Sequence, residues 1–202
     1  MITSMCNSYK HTIVITNRHL VQGDFLKQLE KVTKLHPHAL ILREKDLTDD
    51  AYESLAKKVF DLCEREDITF FLHTKIEIAR KIGCQNIHLS IPVLKGLSET
   101  EKKALTEDFC EISISCHSME DVEIAMAGGA TQIILGTIFE TECKKGVLGK
   151  GVEFVREICQ KCPLPVYAIG GMNLQRLPLV IDAGAAGCCM MSGFMQTTKP
   201  LQ

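Results

Sequence analysis

At 202 residues the chain is long enough for one domain with a sizeable core, and it stands near the lower length of a (β/α)8 barrel, about 200 residues. Hydrophobic residues make up 46% and charged residues 24%, an ordinary soluble globular balance, and the net charge of −2 gives nucleic acid or an anionic membrane no electrostatic hold. No apolar run reaches the ~18 residues of a spanning helix, and the opening MITSMCNSYKH lacks the apolar stretch of a secretory signal, so a cytoplasmic protein is expected.

In chain order, His11–Thr16 reads as a first strand and Phe25–Leu35 as an amphipathic helix. The alternation continues with strand His38–Leu42 and helix Asp50–Glu64, then strand Ile68–Leu72 and helix Ile76–Ile82, with Gly83 as its stop. Strand Asn86–Leu89 precedes helix Glu99–Asp108. Strand Ile112–Ser115 precedes helix Met119–Ala127, for which Ser118 is the expected N-cap. Strand Gln132–Leu135 leads to helix Val152–Cys159, and strand Pro165–Ile169 to helix Leu174–Ala183, with Asn173 as cap and Gly184 as stop. Gly187–Met191 is the eighth strand. Strict alternation implies a parallel sheet, and eight apolar runs favour a closed (β/α)8 TIM barrel over an open sheet. The whole of residues 1–202 is expected to form that one domain. Only nine residues follow Gly193, so the eighth helix must be short or absent, which would expose an apolar strip for a second copy of the chain to cover as a homodimer.

The ten cysteines lie mostly inside strand or helix patterns and read as small core residues of a cytosolic protein. Cys159 and Cys162 form a C-x-x-C, but no second pair supplies further zinc ligands, so no metal site is assigned there.

Chemistry is expected at the C-terminal strand ends. Ala168-Ile169-Gly170-Gly171-Met172 and Met191-Ser192-Gly193 each close an apolar strand with small residues, where backbone N–H groups can approach a phosphate. Gly170, Gly171, Ser192 and Gly193 are therefore the predicted phosphate cradle. Gly171→Asp is expected to weaken binding with little change in fold. Arg43-Glu44-Lys45 follows the second strand directly and would place three charges at the barrel mouth, with Arg43 suited to bidentate anion recognition and Lys45 beside it. The segment from Gly136 through Thr137 to Lys144, Lys145 and Gly146 is polar and long enough to cover the mouth, and a lysine there could hold a phosphate. His73, His88 and His117 end or follow the third, fourth and fifth strands and are candidates for acid/base work.

Taken together, the R-E-K run, the S-x-H-S before the fifth helix, the G-x-I-F-x-T-x-x-K-K-G loop, I-G-G-M and the terminal M-S-G resemble the thiamine phosphate synthase/TenI family, from Ile13 to Phe194. The loop resembles the TenI branch especially. The resemblance implies a thiazole phosphate ligand, held by Lys45, His73, Lys75, Thr137, Lys144 and Lys145, with His117 and Arg43 as the catalytic candidates. The family's synthases hold a leaving pyrophosphate through magnesium on carboxylates after the third and fourth strands. Here His73-Thr74-Lys75 and Ser90-Ile91-Pro92-Val93 stand in those places, so no metal site and no cofactor are expected. The TenI tautomerases carry a histidine where this chain has Thr137, which leaves His117 or His73 to move the proton. Three readings follow from the resemblance: a thiazole tautomerase, the magnesium-dependent synthase, or a protein that binds thiazole phosphate without turnover.

Overall fold

A computed structural model of the protein describes residues 9–141, 146 and 148–196. Eight parallel strands close into a barrel in sequence order: β1 (Thr12–Ile15), β2 (Ala39–Leu42), β3 (Thr69–His73), β4 (Asn86–Ser90), β5 (Glu111–Cys116), β6 (Gln132–Gly136), β7 (Val166–Ile169) and β8 (Gly187–Met190), with β8 returning to pair with β1. Every residue of β1, β2, β6 and β8 is buried. Burial on both faces explains why these strands read as continuous apolar runs rather than alternating ones.

The helices that follow are α1 (Phe25–Thr33), α2 (Asp49–Arg65), α3 (Ile76–Ile82), α4 (Ile91–Gly96), α5 (Glu99–Asp108), α6 (Met119–Ala127), α7 (Gly151–Lys161), α8 (Leu177–Asp182) and α9 (Ser192–Met195). Side-chain caps start several of them. Asp24 accepts from Lys27 N, Thr48 from Ala51 N and Ser118 from Asp121 N, and Ser98 with Glu101 forms a capping box. Gly83 ends α3 in the left-handed region at φ 73°. The eighth helix is short, four residues among those described. Several helix ends shift by one or two residues from the sequence pattern, and two differences are larger. Asn173, expected as the helix cap, instead closes a turn ahead of it, its Oδ1 accepting from Arg176 N at 2.9 Å; α8 begins only at Leu177, where Pro178 falls in the first turn, and Arg176 precedes it without a side-chain cap bond. Helix α4 was not anticipated, although Pro92 sits in its first turn for the same reason.

Two apolar clusters result. One fills the barrel and includes Ile13, Ile15, Ala39, Ile41, Phe71, Ile134, Tyr167 and Cys189. The larger packs the outer strand faces against the helices. Among the described residues no helix is long and apolar enough to cross a membrane. All eight described cysteines are free thiols, and burial pushes Cys63, Cys116 and Cys188 up to about 12, which keeps them protonated.

Tyr52 of α2 ties two strand ends together. Its buried hydroxyl donates to Leu42 O at 2.6 Å and accepts from His73 N at 3.2 Å. Tyr52→Phe leaves two buried backbone groups unpaired. We expect it to cost roughly 1–3 kcal/mol, read as a fall of several degrees in the melting temperature, with a weaker ligand complex because both Arg43 and His73 hang on those strand ends.

Candidate functional site

A cavity of about 530 Å³ opens at the C-terminal end of the barrel. Residues from β1 to β8 and the loops after them line it. Its apolar wall is Ile15, Ile41, Ile169 and Cys189, from β1, β2, β7 and β8. Its polar wall is His73, His88 and Ser115, from β3, β4 and β5, with His117 just after β5. Arg43, Lys45, Thr137, Gly170, Gly171 and Ser192 also line it. The structure thus brings together most of the residues singled out from the sequence.

Strand alternation carries on past the end of β2. Arg43 and Lys45 face the cavity, while Glu44 between them turns away and is 2% exposed. Only two of the three charges therefore sit at the mouth. The Glu44 carboxylate accepts from Thr16 Oγ1 at 2.7 Å and from Arg18 N at 3.0 Å, and it pairs with the Arg18 guanidinium at 3.1 Å. Thr16 Oγ1 in turn accepts from Arg43 N at 2.9 Å. This buried clamp sets where the Arg43 backbone stands. Arg18 also holds Asp46, whose carboxyl lies well below the usual carboxylate range because of that bond and a second one to His19.

The histidines differ sharply. His73 is lowered to about 4 by burial and by the positive charges of Arg43 and Lys45. His88, 4% exposed, is lowered to about 3, chiefly by burial, with His73 and Arg43 adding to it. Both rings are neutral at physiological pH, and their centroids are 5.6 Å apart. His117 sits just beyond β5. Its backbone N–H donates to Asp121 Oδ2 at 2.7 Å, its carbonyl accepts from Lys150 Nζ, and its Nδ1 lies 2.7 Å from Gly136 O. A carbonyl only accepts, so Nδ1 carries a hydrogen, and in the uncharged form of this ring the lone pair stands on Nε2.

Gly170 (φ 101°) and Gly171 (φ 60°) bend the chain after β7. A Cβ at Gly170 would stand 2.4 Å from Thr137 Cγ2, and one at Gly171 2.5 Å from Glu140 O and 2.9 Å from Phe139 Cβ. Glycine is therefore required twice over, by conformation and by space. Gly193 belongs to the first turn of α9, next to Ser192, and does not itself line the cavity.

Lys75 is not at the cavity. Thr74 adopts φ 62°, the chain turns into α3, and the Lys75 ammonium pairs with Asp49 at the start of α2. Lys144 and Lys145 lie outside the described residues. Sequence reasoning passed over Ser115, which lines the cavity, and Ser113 behind it. The signal was the Ser113/Ser115 alternation in a strand that follows a histidine-bearing one.

The donor set does not fit a magnesium ion. Hard cations take carboxylate and other oxygen ligands, and among the described residues lining the cavity there is no Asp or Glu. The nearby carboxylates Glu44, Asp46, Asp49 and Asp121 are each engaged with a neighbour. A cationic and imidazole-rich cavity instead suits an anionic ligand directly.

Among known proteins, the chain is 30% identical over 180 residues to a thiamine-phosphate synthase of Coprothermobacter proteolyticus, covering 89% of this chain and 84% of that one. It is 29% identical over 195 residues to a thiamine-phosphate synthase of Clostridium acetobutylicum, covering 95% and 89%. A solved thiamine phosphate pyrophosphorylase from Pyrococcus furiosus shares the fold, with a TM-score of 0.81 over 95% of this chain and 90% of its own at 22% identity. The family model described as thiamine monophosphate synthase matches residues 12–194, and with the closed barrel and its cationic mouth already in view, the chain belongs to that family.

Proposed function

We propose that this member of the family binds a thiazole phosphate and moves a proton on its ring, acting as a thiazole tautomerase without a metal. The observation that carries this reading is the cavity lining: two cationic side chains, three imidazoles and no carboxylate among the described residues. The phosphate would lie on the backbone N–H groups around Gly170, Gly171, Ser192 and Gly193. Ser192 and Gly193 open α9, and their N–H groups take no helical partner there. Arg43 and Lys45 would neutralise a further acidic group on the ring. His117 is the base best placed for the proton, since its ring hydrogen is held by Gly136 O and its Nε2 is left to accept. His73 and His88 start neutral but are poor bases, because their depressed values make the charged form costly.

A second reading is favoured by the names of the relatives, which are thiamine-phosphate synthases. One experiment separates the two. The purified chain is incubated with thiazole carboxylate phosphate in the presence of a chelator, and the tautomer is followed by NMR. A parallel sample receives a thiazole phosphate, pyrimidine methyl diphosphate and magnesium, and pyrophosphate release is measured. We expect tautomer conversion that the chelator does not change. Magnesium-dependent thiamine phosphate formation at enzymic rates, with no conversion in the first sample, would instead make the chain a synthase. Tight binding with neither reaction would make it a binding protein.

A further inference from the structure

We propose that Asn17 is a phosphate-binding residue, its side-chain amide nitrogen donating a hydrogen bond to an oxygen of the anion held between the Gly170-Gly171 turn and Ser192. That an anion lies there rests on the thiazole phosphate reading. The direction of the amide rests on the loop after β1 alone.

Asn17 stands two residues beyond β1 and lines the cavity with Gly170, Gly171, Met191 and Ser192. Its place follows from register. Thr12, Ile13 and Val14 pair with Cys188, Cys189 and Met190, so the end of β1 runs beside the end of β8. Ile13 and Ile15 belong to the barrel interior, and the next step of two brings Asn17 to the same face. A 3-10 turn, Arg18–Leu20, starts from Asn17 and packs against α9, which Ser192 opens.

The turn fixes which end of the carboxamide meets the cavity. His19 N donates to Asn17 Oδ1 at 3.2 Å, capping the turn. A backbone N–H can only donate, so the side-chain atom facing it is the oxygen, and the NH2 group takes the other end. That end lies 3.9 Å from Met191 Sδ, an atom that can only accept, which gives the same orientation independently. A thioether is a weak acceptor and engages at most one of the two amide hydrogens. A charged phosphate oxygen beside Ser192 is a much stronger one.

The donor is also held still. The Glu44 carboxylate accepts from Thr16 Oγ1 at 2.7 Å, just before Asn17, and from Arg18 N at 3.0 Å, just after it. Thr16 N donates to Ile41 O and Leu20 N to Asn17 O, both at 3.1 Å. With the backbone pinned on both sides and the carbonyl end of the side chain engaged, little ordering remains to oppose binding. The Thr16 hydroxyl that accepts from Arg43 N belongs to the same frame, so Asn17 and Arg43 are carried to the mouth together.

The test compares wild type, Asn17→Ser and Asn17→Asp as full-length proteins. Ser and Asp both supply a capping oxygen, so the melting temperatures should stay within a few degrees of wild type. Ser is too short to carry a donor to the phosphate, and thiazole phosphate should bind it about tenfold more weakly, the loss of one hydrogen bond to a charged group. Asp puts a negative oxygen where the nitrogen stood, and the loss should reach about a hundredfold. The thiazole alcohol, which lacks the phosphate, should bind all three proteins equally. Full affinity for thiazole phosphate in Asn17→Ser overturns the proposal, even where Asn17→Asp binds weakly, because a charge acts at a distance and a missing donor does not. An equal loss for the alcohol, or a loss found only with a fall in melting temperature, overturns it as well. Inorganic phosphate separates this proposal from the functional reading. Wild type that holds inorganic phosphate more tightly than Asn17→Ser does, yet takes no thiazole phosphate, keeps the Asn17 assignment and defeats the thiazole reading. Wild type that binds neither defeats both.

Discussion

Gly171→Asp is expected to lose thiazole phosphate binding by about a hundredfold or more, and to lower stability as well. Two like charges some 4–5 Å apart at an effective dielectric of about 20 repel by roughly 3–4 kcal/mol, which accounts for the affinity. The stability loss comes from the backbone. The new Cβ would meet Glu140 O at 2.5 Å and Phe139 Cβ at 2.9 Å, and neither belongs to the far end of a flexible side chain. The sequence alone suggested a turn that would tolerate the change. The structure shows the β6 loop pressed against it, so a further penalty of roughly 1–3 kcal/mol is expected. Isothermal titration with the ligand and a thermal melt read the two effects separately. A variant that binds as wild type does would remove Gly171 from the phosphate site.

His117→Asn should lower tautomer turnover by roughly 10²- to 10⁴-fold, the range for loss of a general acid or base, while changing ligand affinity little. Asparagine can keep a donor facing Gly136 O, where His117 Nδ1 stands at 2.7 Å, so the local fold should survive. It has no titrating nitrogen to replace Nε2. Single-turnover kinetics together with binding measurements would separate the step from the affinity. Full activity in this variant would make His117 structural and point to a protein that binds without turnover, since Thr137 offers no base.

Much of the fold could be read from the sequence because a closed parallel barrel imposes a simple rule: buried on both faces, most strands are short apolar runs, and each is followed by a helix. All eight strands fall within a residue or two of the expected positions, and α3, α5 and α6 match to the residue. The misses have local causes. Helical periodicity extends back to Leu174, but Pro178 is accommodated only in a first turn, so α8 starts later. Ser90-Ile91-Pro92 carried the same proline signal and opens α4, yet it drew notice only for the carboxylate it lacks.

At the site, clustering at strand ends was legible, and side-chain direction was less so. Counting by twos from Ile41 places Arg43 and Lys45 inside and Glu44 outside, a step that the run of three charges obscured. Lys75 looked equivalent to Lys45 by its place after a strand. The left-handed backbone at Thr74, uncommon for a β-branched residue, sends it to Asp49 instead, and nothing in composition announces that. The depressed basicity of His73 and His88 depends on neighbours from other strands, and only the closed barrel brings those together.

The two feet of the loop after β6 are stitched to each other and to β7. Ile138 N donates to Ile169 O at 2.9 Å and Phe139 N to Gly170 O at 3.1 Å, while Lys150 N returns to Thr137 O at 3.0 Å and Gly151 N to Ile138 O at 2.9 Å. The two ends of the loop are thereby fixed by bonds that involve none of the residues between Thr141 and Leu148. Doubling the length of a flexible loop costs only about 0.6 kcal/mol in closure entropy. That segment can accordingly be exchanged as a cassette, its length and charge altered to suit a different ligand, while the strand ends and the glycine turn beneath it stay in place.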